Sequence, residues 1–256
     1  MTIPATAPVT SALRAALAPT GVLRAGVNHS NMLLVNAGSP PGAPAGVACD
    51  LATELAARLG VPVVFVSYPS PGAMADGASA GAWDVAFLGA EPTRAHEIDF
   101  TSAYAEIEAT YLVPPGSPIR ELADVDHAGI RISVSNRSAY ELYLSRTIRH
   151  ATLVKADGID ASYDAFAQGG LDALAGLRPR LARDVERLPG ARVLDGRFTA
   201  IQQAIGTPKG RGPAGAFLQA FVDDITAVGT VAEAIARHDV HGLTVAPPPR
   251  QASTRV

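Results

Sequence analysis

Short apolar runs alternate with helical stripes in two series along this chain, and Pro114, Pro115, Gly116, Ser117 and Pro118 stand between the series. Proline lacks an amide donor and fixes φ, so this cluster stops both helix and strand and reads as a boundary between two folding units. In the first series, residues 22–27, 61–66, 83–88 and 109–113 read as strands. Between them Val47, Leu51, Leu55 and Leu59 recur at helical spacing, Gly60 supplies a left-handed stop, and 71–80 reads as a second helix. In the second series the strands fall at 130–134, 151–154, 171–175, 191–194 and 201–205, with helices at 139–148, 162–169 and 178–185. Two helices, 213–228 and 231–238, follow, parted by Gly229 and Thr230. Residues 11–18 read as a short amphipathic helix, and 36–46 as a loop of glycine, proline, alanine and serine.

Strand–helix–strand repetition predicts an α/β fold with mostly parallel sheets flanked by helices. The expected division is lobe 1 from 20–113 and 206–245, lobe 2 from 118–200, and flexible ends at 1–10 and 246–256. The chain would cross between lobes near 113–118 and near 199–206, and the last two helices would return to lobe 1. A site is then expected in the cleft, at the C-terminal ends of strands from both lobes.

The 256 residues suffice for two small lobes, and with 48% apolar but only 5% aromatic residues the cores must be built from Ala, Val, Leu and Ile. The net charge of −3 gives no electrostatic case for nucleic acid or an anionic membrane. Cys49 is the single cysteine, so no internal disulfide is possible. No apolar run reaches the ~18–20 residues that span a bilayer. The first ten residues have neither the basic nor the apolar segment of a secretory signal, which predicts a cytoplasmic protein, or a periplasmic one if the chain is trimmed from a longer precursor. Residues 206–212 are glycine-rich and basic but lack the Gly-Lys-Ser/Thr end of a P-loop, and read as a turn. His238 and His241 have no third ligand near them in sequence, so neither a metal nor a cofactor is expected.

The strand at 83–88 leads through Gly89, Ala90, Glu91, Pro92 and Thr93 to Arg94, then to a short helical turn and an aromatic Phe100-to-Tyr104 stretch. An arginine on a loop just past the C-terminal end of a strand is placed to hold a carboxylate with its planar fork. The alternative is a surface arginine paired with Glu97 or Asp99. Leu88 and Gly89 lie at the strand end, where glycine lets a ligand approach the backbone. Asn136, Arg137 and Ser138 precede a helix, whose exposed N–H groups and dipole favour an anion, although Ser138 is equally a plain N-cap. Arg137 offers a second positive charge from the opposite lobe, which would suit a dicarboxylate. Asn28, His29 and Asn31 follow the first strand, as cleft groups or as Asx-turns. Tyr104 and Tyr111 read as packing or hinge residues, Gln202 and Gln203 as hinge or ligand contacts, and Asp84 and Asp172 as structural.

Four motifs together resemble the type II (family 3) solute-binding proteins of ABC importers, over roughly 23–238. They are the opening run 23–28; Gly46 to Gly60, with Asp50 and Leu51; Gly81 to Asp84 followed by Thr93, Arg94 and 98–104; and Gly169, Gly170, Leu171, Asp172 and Ala173. The resemblance implies the two-lobed type II periplasmic-binding-protein fold with two crossovers and a carboxylate-gripping role for Arg94. Three departures accompany it. Asn31 stands where amino-acid binders carry an aromatic lid, and Leu177 stands where they carry an acid for the ligand's ammonium. The segment before Arg94 is also shorter, with Gly89 to Thr93 replacing the family's Ser-x-Thr pattern. An unpaired ammonium in a closed cleft is costly, so a standard α-amino acid is not the expected ligand. Glu91 could supply a negative partner and admit a cationic ligand instead.

The first expectation is a monomeric, non-enzymatic protein that closes on a small anionic organic ligand and is recognised by an ABC transporter permease. The second is a dehydratase or lyase of a small carboxylic acid on the same fold, with Glu91, His29 or Glu141 as its acid or base. In that case burial beside Leu88 would raise the pKa of Glu91 while Arg94 lowered it. A cytosolic ligand sensor is the third.

Overall fold

The computed structural model describes residues 8–37 and 43–248. Positions 1–7, 249–256 and the middle of the 36–46 segment lie outside them. Helix α1 (Ser11–Leu17) is N-capped by the Thr10 hydroxyl and buries Leu13 and Leu17. Strand β1 (Leu23–Asn28) follows, then the small antiparallel pair β2 (Asn36–Ala37) and β3 (Pro44–Ala45). Helix α2 (Val47–Leu59) forms where the stripe predicts it, burying Val47, Leu51, Leu55 and Leu59. It stops because Gly60 takes a left-handed φ of 69° that a side chain would disfavour. Next come β4 (Val63–Tyr68), α3 (Pro71–Asp76), capped by Ser70, and β5 (Val85–Gly89), in which every residue is buried. A single 3-10 turn, Arg94–His96, separates β5 from β6 (Ile98–Val113).

The second half comprises β7 (Arg131–Ser135), α4 (Ala139–Thr147), β8 (Thr152–Ala156), α5 (Ile159–Gly169), β9 (Ala173–Leu177) and α6 (Arg178–Arg187). It continues with β10 (Arg192–Val193), β11 (Thr199–Pro208), α7 (Ala214–Ala227), α8 (Thr230–Arg237) and β12 (Leu243–Val245). The strands order as β4-β1-β5-β11-β6-β9-β7-β8, with β10 and β12 also paired to β6. β1 is parallel to β4 and β5, and β7 to β8 and β9, as strand–helix repetition requires. The two central strands are antiparallel to all their neighbours.

The connection between lobes differs from the expected short crossover after residue 113. β6 begins at Ile98, not at 109, and pairs with β12 over its Ala105 to Ile107 portion and with β9 over Ala109 to Leu112. With β11 it makes one antiparallel ribbon from Thr199–Ala109 to Pro208–Ile98, broken by two bulges around Ala204. The early part of β6 escapes an apolar-run reading because Glu106 and Glu108 interrupt it. Glu106 accepts a hydrogen bond from the Gln202 amide on β11, and Glu108 forms ion pairs with Arg178 and Arg197.

Each half packs both faces of its sheet. In the first, Leu51, Leu55, Phe217, Leu218 and Phe221 share one cluster, so α7 packs with α2. Met74, Trp83, Ala86 and Leu88 form the cluster on the opposite face. In the second, Ile132, Val134 and Tyr140 pack on one face and Phe166, Leu174 and Leu181 on the other. Asp84 and Asp172 play one structural part in the two halves. Each carboxylate accepts a backbone N–H from the neighbouring parallel strand, that of Arg24 at 3.0 Å and that of Arg131 at 2.8 Å. At the chain's expected loose ends, Thr10 caps α1 and Ala246 is buried, its N–H bonded to the Tyr104 carbonyl.

Candidate functional site

A cleft of about 750 Å³ opens between the halves. The C-terminal ends of β1, β5, β7 and β9 feed it, and one face of β11 forms its floor through Ile201 and Gln203. Asn28, His29, Asn31, Leu88, Gly89, Arg94, Asn136, Arg137 and Ser138 all line it. Of the expected ligand-binding set only Glu91 lies outside this lining, as do the acid–base candidate Glu141 and the glutamine Gln202.

Arg94 is the deepest charge there, only 6% exposed. The short 90–93 link places the turn directly after β5, and the side chain folds back so that Nη1 donates to the Gly89 carbonyl at 2.7 Å. Nη2 donates to the Arg137 carbonyl, on the far side of the cleft, at 3.0 Å. A guanidinium has five N–H donors, so three remain. Burial pulls its pKa down to about 10, opposed by the nearby Glu91 carboxylate and assisted by Arg137, so the group stays charged near neutrality. Among the described residues its hydrogen-bond partners are carbonyls, and no carboxylate forms an ion pair with it. The expected alternative, a surface pairing with Glu97 or Asp99, does not occur.

Glu91 is a correction to the expected set. Its side chain turns away from the cleft and its Oε2 lies 2.6 Å from Arg146 Nη1 on α4. The contact is a charge pair without aligned hydrogen-bond geometry. Spacing alone placed Glu91 next to Arg94; the cation that captures it comes from a distant helix.

The β7–α4 loop also differs from a free anion-binding helix start. Ser138 caps α4, accepting the Glu141 N–H at 3.1 Å. The Asn136 N–H bonds the Ala156 carbonyl, the Ser138 N–H bonds the Ser135 carbonyl, and the Arg137 N–H bonds Glu141 Oε2 at 2.9 Å. Glu141, 1% exposed, thus fills the place expected for a ligand anion, and Lys155 Nζ stands 2.7 Å from it. Burial pushes the Glu141 carboxyl up, but Lys155, Ser145 and the Arg137 N–H together bring it below its usual value. Arg137 adopts a left-handed φ of 58°, and its guanidinium grips Asp76 across the cleft mouth. It is therefore already neutralised, and the second free cation that a dicarboxylate would need is absent from this loop.

Asn28 and Asn31 satisfy both expectations at once. Each lines the cleft, and each side-chain carbonyl closes a local turn, accepting the N–H of Ser30 at 3.0 Å and of Leu33 at 3.3 Å. Gly89 is required by close approach. A Cβ there would lie 2.9 Å from Ile201 Cγ2 and 3.0 Å from Ala139 Cβ, where β5 meets β11 and α4.

Several lining residues were not expected from sequence: Asp76, Asp157, Asp160, Tyr140, Arg180 and Ile201. Arg180 carried one local signal, its i,i+4 spacing to Asp184, with which it pairs at 3.0 Å; it also pairs with Asp160 at 2.6 Å. The three lining carboxylates, Asp76, Asp157 and Asp160, are all exposed, and Leu177 presents an apolar side chain to the cleft.

The sequence profile of the bacterial extracellular solute-binding proteins, family 3, matches residues 23–239. No curated protein matches the chain significantly. Among solved structures, the solute receptor for L-cysteine of Neisseria gonorrhoeae superposes with a TM-score of 0.74 at 22% identity, covering 89% of this chain and 94% of that one. A variant of ArgBP from T. maritima gives 0.72 at 18% identity, covering 90% and 100%. The ancestral amino acid-binding protein AncCDT-1, a precursor of cyclohexadienyl dehydratase, gives 0.70 at 20% identity, covering 89% and 99%. At these identities the likeness establishes the fold: two α/β lobes about a cleft.

Proposed function

This chain belongs to the bacterial extracellular solute-binding proteins of family 3, and we propose that its cleft captures a small organic anion, most simply a carboxylate, on the guanidinium of Arg94. One observation carries the reading. Arg94 is a buried positive charge with no carboxylate in its grip and three N–H donors to spare. A buried charge that no carboxylate contacts directly is expensive, and an anionic ligand lowers that expense while satisfying the donors. The other lining arginines do not share this state, because Arg137 is paired with Asp76 and Arg180 with Asp160 and Asp184.

The same chemistry argues against a zwitterionic α-amino acid. Each lining carboxylate sits at the exposed rim. Asp76 and Asp160 are bound to arginines, while among the described residues Asp157 accepts only the Asn136 amide. An ammonium beside Arg94 would meet Leu177 and neutral groups instead. The family's role in uptake makes an importer's permease the partner we propose for the ligand-loaded protein; two structural neighbours are named as substrate-binding proteins of amino acid ABC transporters. A dehydratase or lyase reading needs an acid or base in the cleft, and of Glu91, His29 and Glu141 only His29 lines it.

A thermal-shift screen of mono- and dicarboxylates against wild type and Arg94→Ala tests the reading. A ligand that binds only the folded state raises the apparent melting temperature, by an amount set by its concentration over its Kd. Monocarboxylates should stabilise wild type and leave the variant unmoved. Equal shifts in both proteins would remove Arg94 from the site.

A further inference from the structure

We infer that Gln203 is a specificity residue of the cleft, reading an uncharged hydroxyl or oxo group on the carbon next to the ligand's carboxylate. The inference rests on the Arg94 reading and deepens it. Gln203 is 3% exposed and lines the cleft, yet among the described residues its side-chain amide makes no hydrogen bond within the protein. It is not one of the fully enclosed orphan groups, so its amide faces the cleft space, where a ligand can reach it. Its neighbour Gln202 shows the ordinary outcome, with Nε2 donating to Glu106 Oε1 at 2.8 Å on the other face of the ribbon.

Register places the amide beside the anion site. Gln203 opposes Gly89 across the β11–β5 pair, so the two point to the same face of the sheet, with side-chain origins about 4.5–5.5 Å apart. The Cβ position of Gly89 is 3.7 Å from Arg94 Nη1, and the Gly89 carbonyl is the one that Arg94 holds. Ile201 and Ala139 border the same spot, and both line one cleft with Gln203 and Arg94. A carboxylate on Arg94 therefore brings its adjoining carbon toward Gln203.

The amide is neutral and both donates and accepts. It matches a hydroxyl, which also does both, and an oxo group, which accepts from Nε2. It gives an ammonium no counter-charge. Ligands carrying the neutral group are thus favoured over both the plain acid and the amino acid.

Calorimetric titration of two matched series tests this: butyrate, 2-hydroxybutyrate, 2-oxobutyrate and 2-aminobutyrate, and the corresponding 3-phenylpropionate set. Wild type should bind the 2-hydroxy or 2-oxo acid about tenfold tighter than the parent acid. In Gln203→Leu that ratio should fall to about one. Gln203→Glu, close in shape, should lose the hydroxy acid and gain the amino acid, which shows that a folded site has changed preference. If the wild-type ratio persists in Gln203→Leu while Arg94→Lys still abolishes binding, the role of Gln203 is overturned and the anion site stands. If no acid binds wild type, or Arg94→Lys binds like wild type, the anion reading fails and takes this inference with it.

Discussion

Arg137 and Asp76 form a two-pronged ion pair across the mouth of the cleft, Nη1 to Oδ2 at 2.8 Å and Nη2 to Oδ1 at 2.5 Å. Asp76 ends α3 in one lobe and Arg137 precedes α4 in the other. Gly72 makes the approach possible, since a Cβ there would come within 2.9 Å of Arg137 Cβ. With side chains 50% and 62% exposed, the pair adds only about 0–1 kcal/mol to stability. We propose that its leverage is on a balance between open and closed lobes, where small energies move populations.

Asp76→Asn is therefore expected to leave the melting temperature within a few degrees of wild type while enlarging the radius of gyration of the ligand-free protein in small-angle scattering. The Arg137 hydrogen bonds hold the Asp76 carboxyl below its ordinary value of 3.8. The sign follows: the pair is at full strength above that value and is lost as pH falls through the lower folded value. Wild type should expand under the same acid conditions and Asp76→Asn should show no such step.

Gly89→Ala tests whether the lobes truly meet at residue 89. The added methyl must displace Ile201 or Ala139, and overpacking of this kind costs about 1–3 kcal/mol. Denaturant unfolding should show that loss, with ligand affinity reduced as well. An unchanged midpoint and affinity would mean that the contact is looser than described.

Glu141→Gln removes the negative charge beneath the β7–α4 loop and leaves Lys155 without its partner. A loss of about 1–3 kcal/mol is expected in equilibrium unfolding. Because the Glu141 carboxyl sits below its ordinary value of 4.5 in the folded protein, its contribution is present above that value and disappears as pH falls through the folded one. The gap in stability between wild type and variant should therefore close in acid. A gap independent of pH would assign the loss to packing.

Leu177→Asp places a carboxylate at the cleft position where the family's amino-acid binders carry one. Leu177 is also the N-cap of α6 and makes no side-chain cap bond, so aspartate there adds about 0.5–1 kcal/mol of capping to offset the lost apolar contacts. The expected result is a gain in affinity for 2-aminobutyrate relative to butyrate, read by calorimetry. No gain would show that the ammonium site cannot be built at this strand end.

Much of this was legible from residue patterns, for local reasons. The α2 stripe with Gly60, the all-apolar β5 and the turn at Arg94 each depend on residues a few positions apart. The remainder depends on partners remote in sequence. Asp76 and Arg137 lie 61 positions apart, and nothing near either one announces the other. Glu91 sits close to Arg94 in the chain but pairs with Arg146. Of two adjacent glutamines on β11, period two shows that one must face the cleft; only the register of Gln203 on Gly89 decides which. The first part of β6 was hidden because Glu106 and Glu108 interrupt its apolar run, and their partners, Gln202 and Arg178, are remote in sequence.

The central claim is that Arg94 binds the ligand's negative charge. Calorimetric titration of the best-stabilising acid into wild type and Arg94→Gln measures it most directly. Affinity should fall about 100-fold or more, the scale of losing a buried charge-assisted pair. Affinities within threefold of each other, in two proteins with matching far-UV spectra, would contradict it.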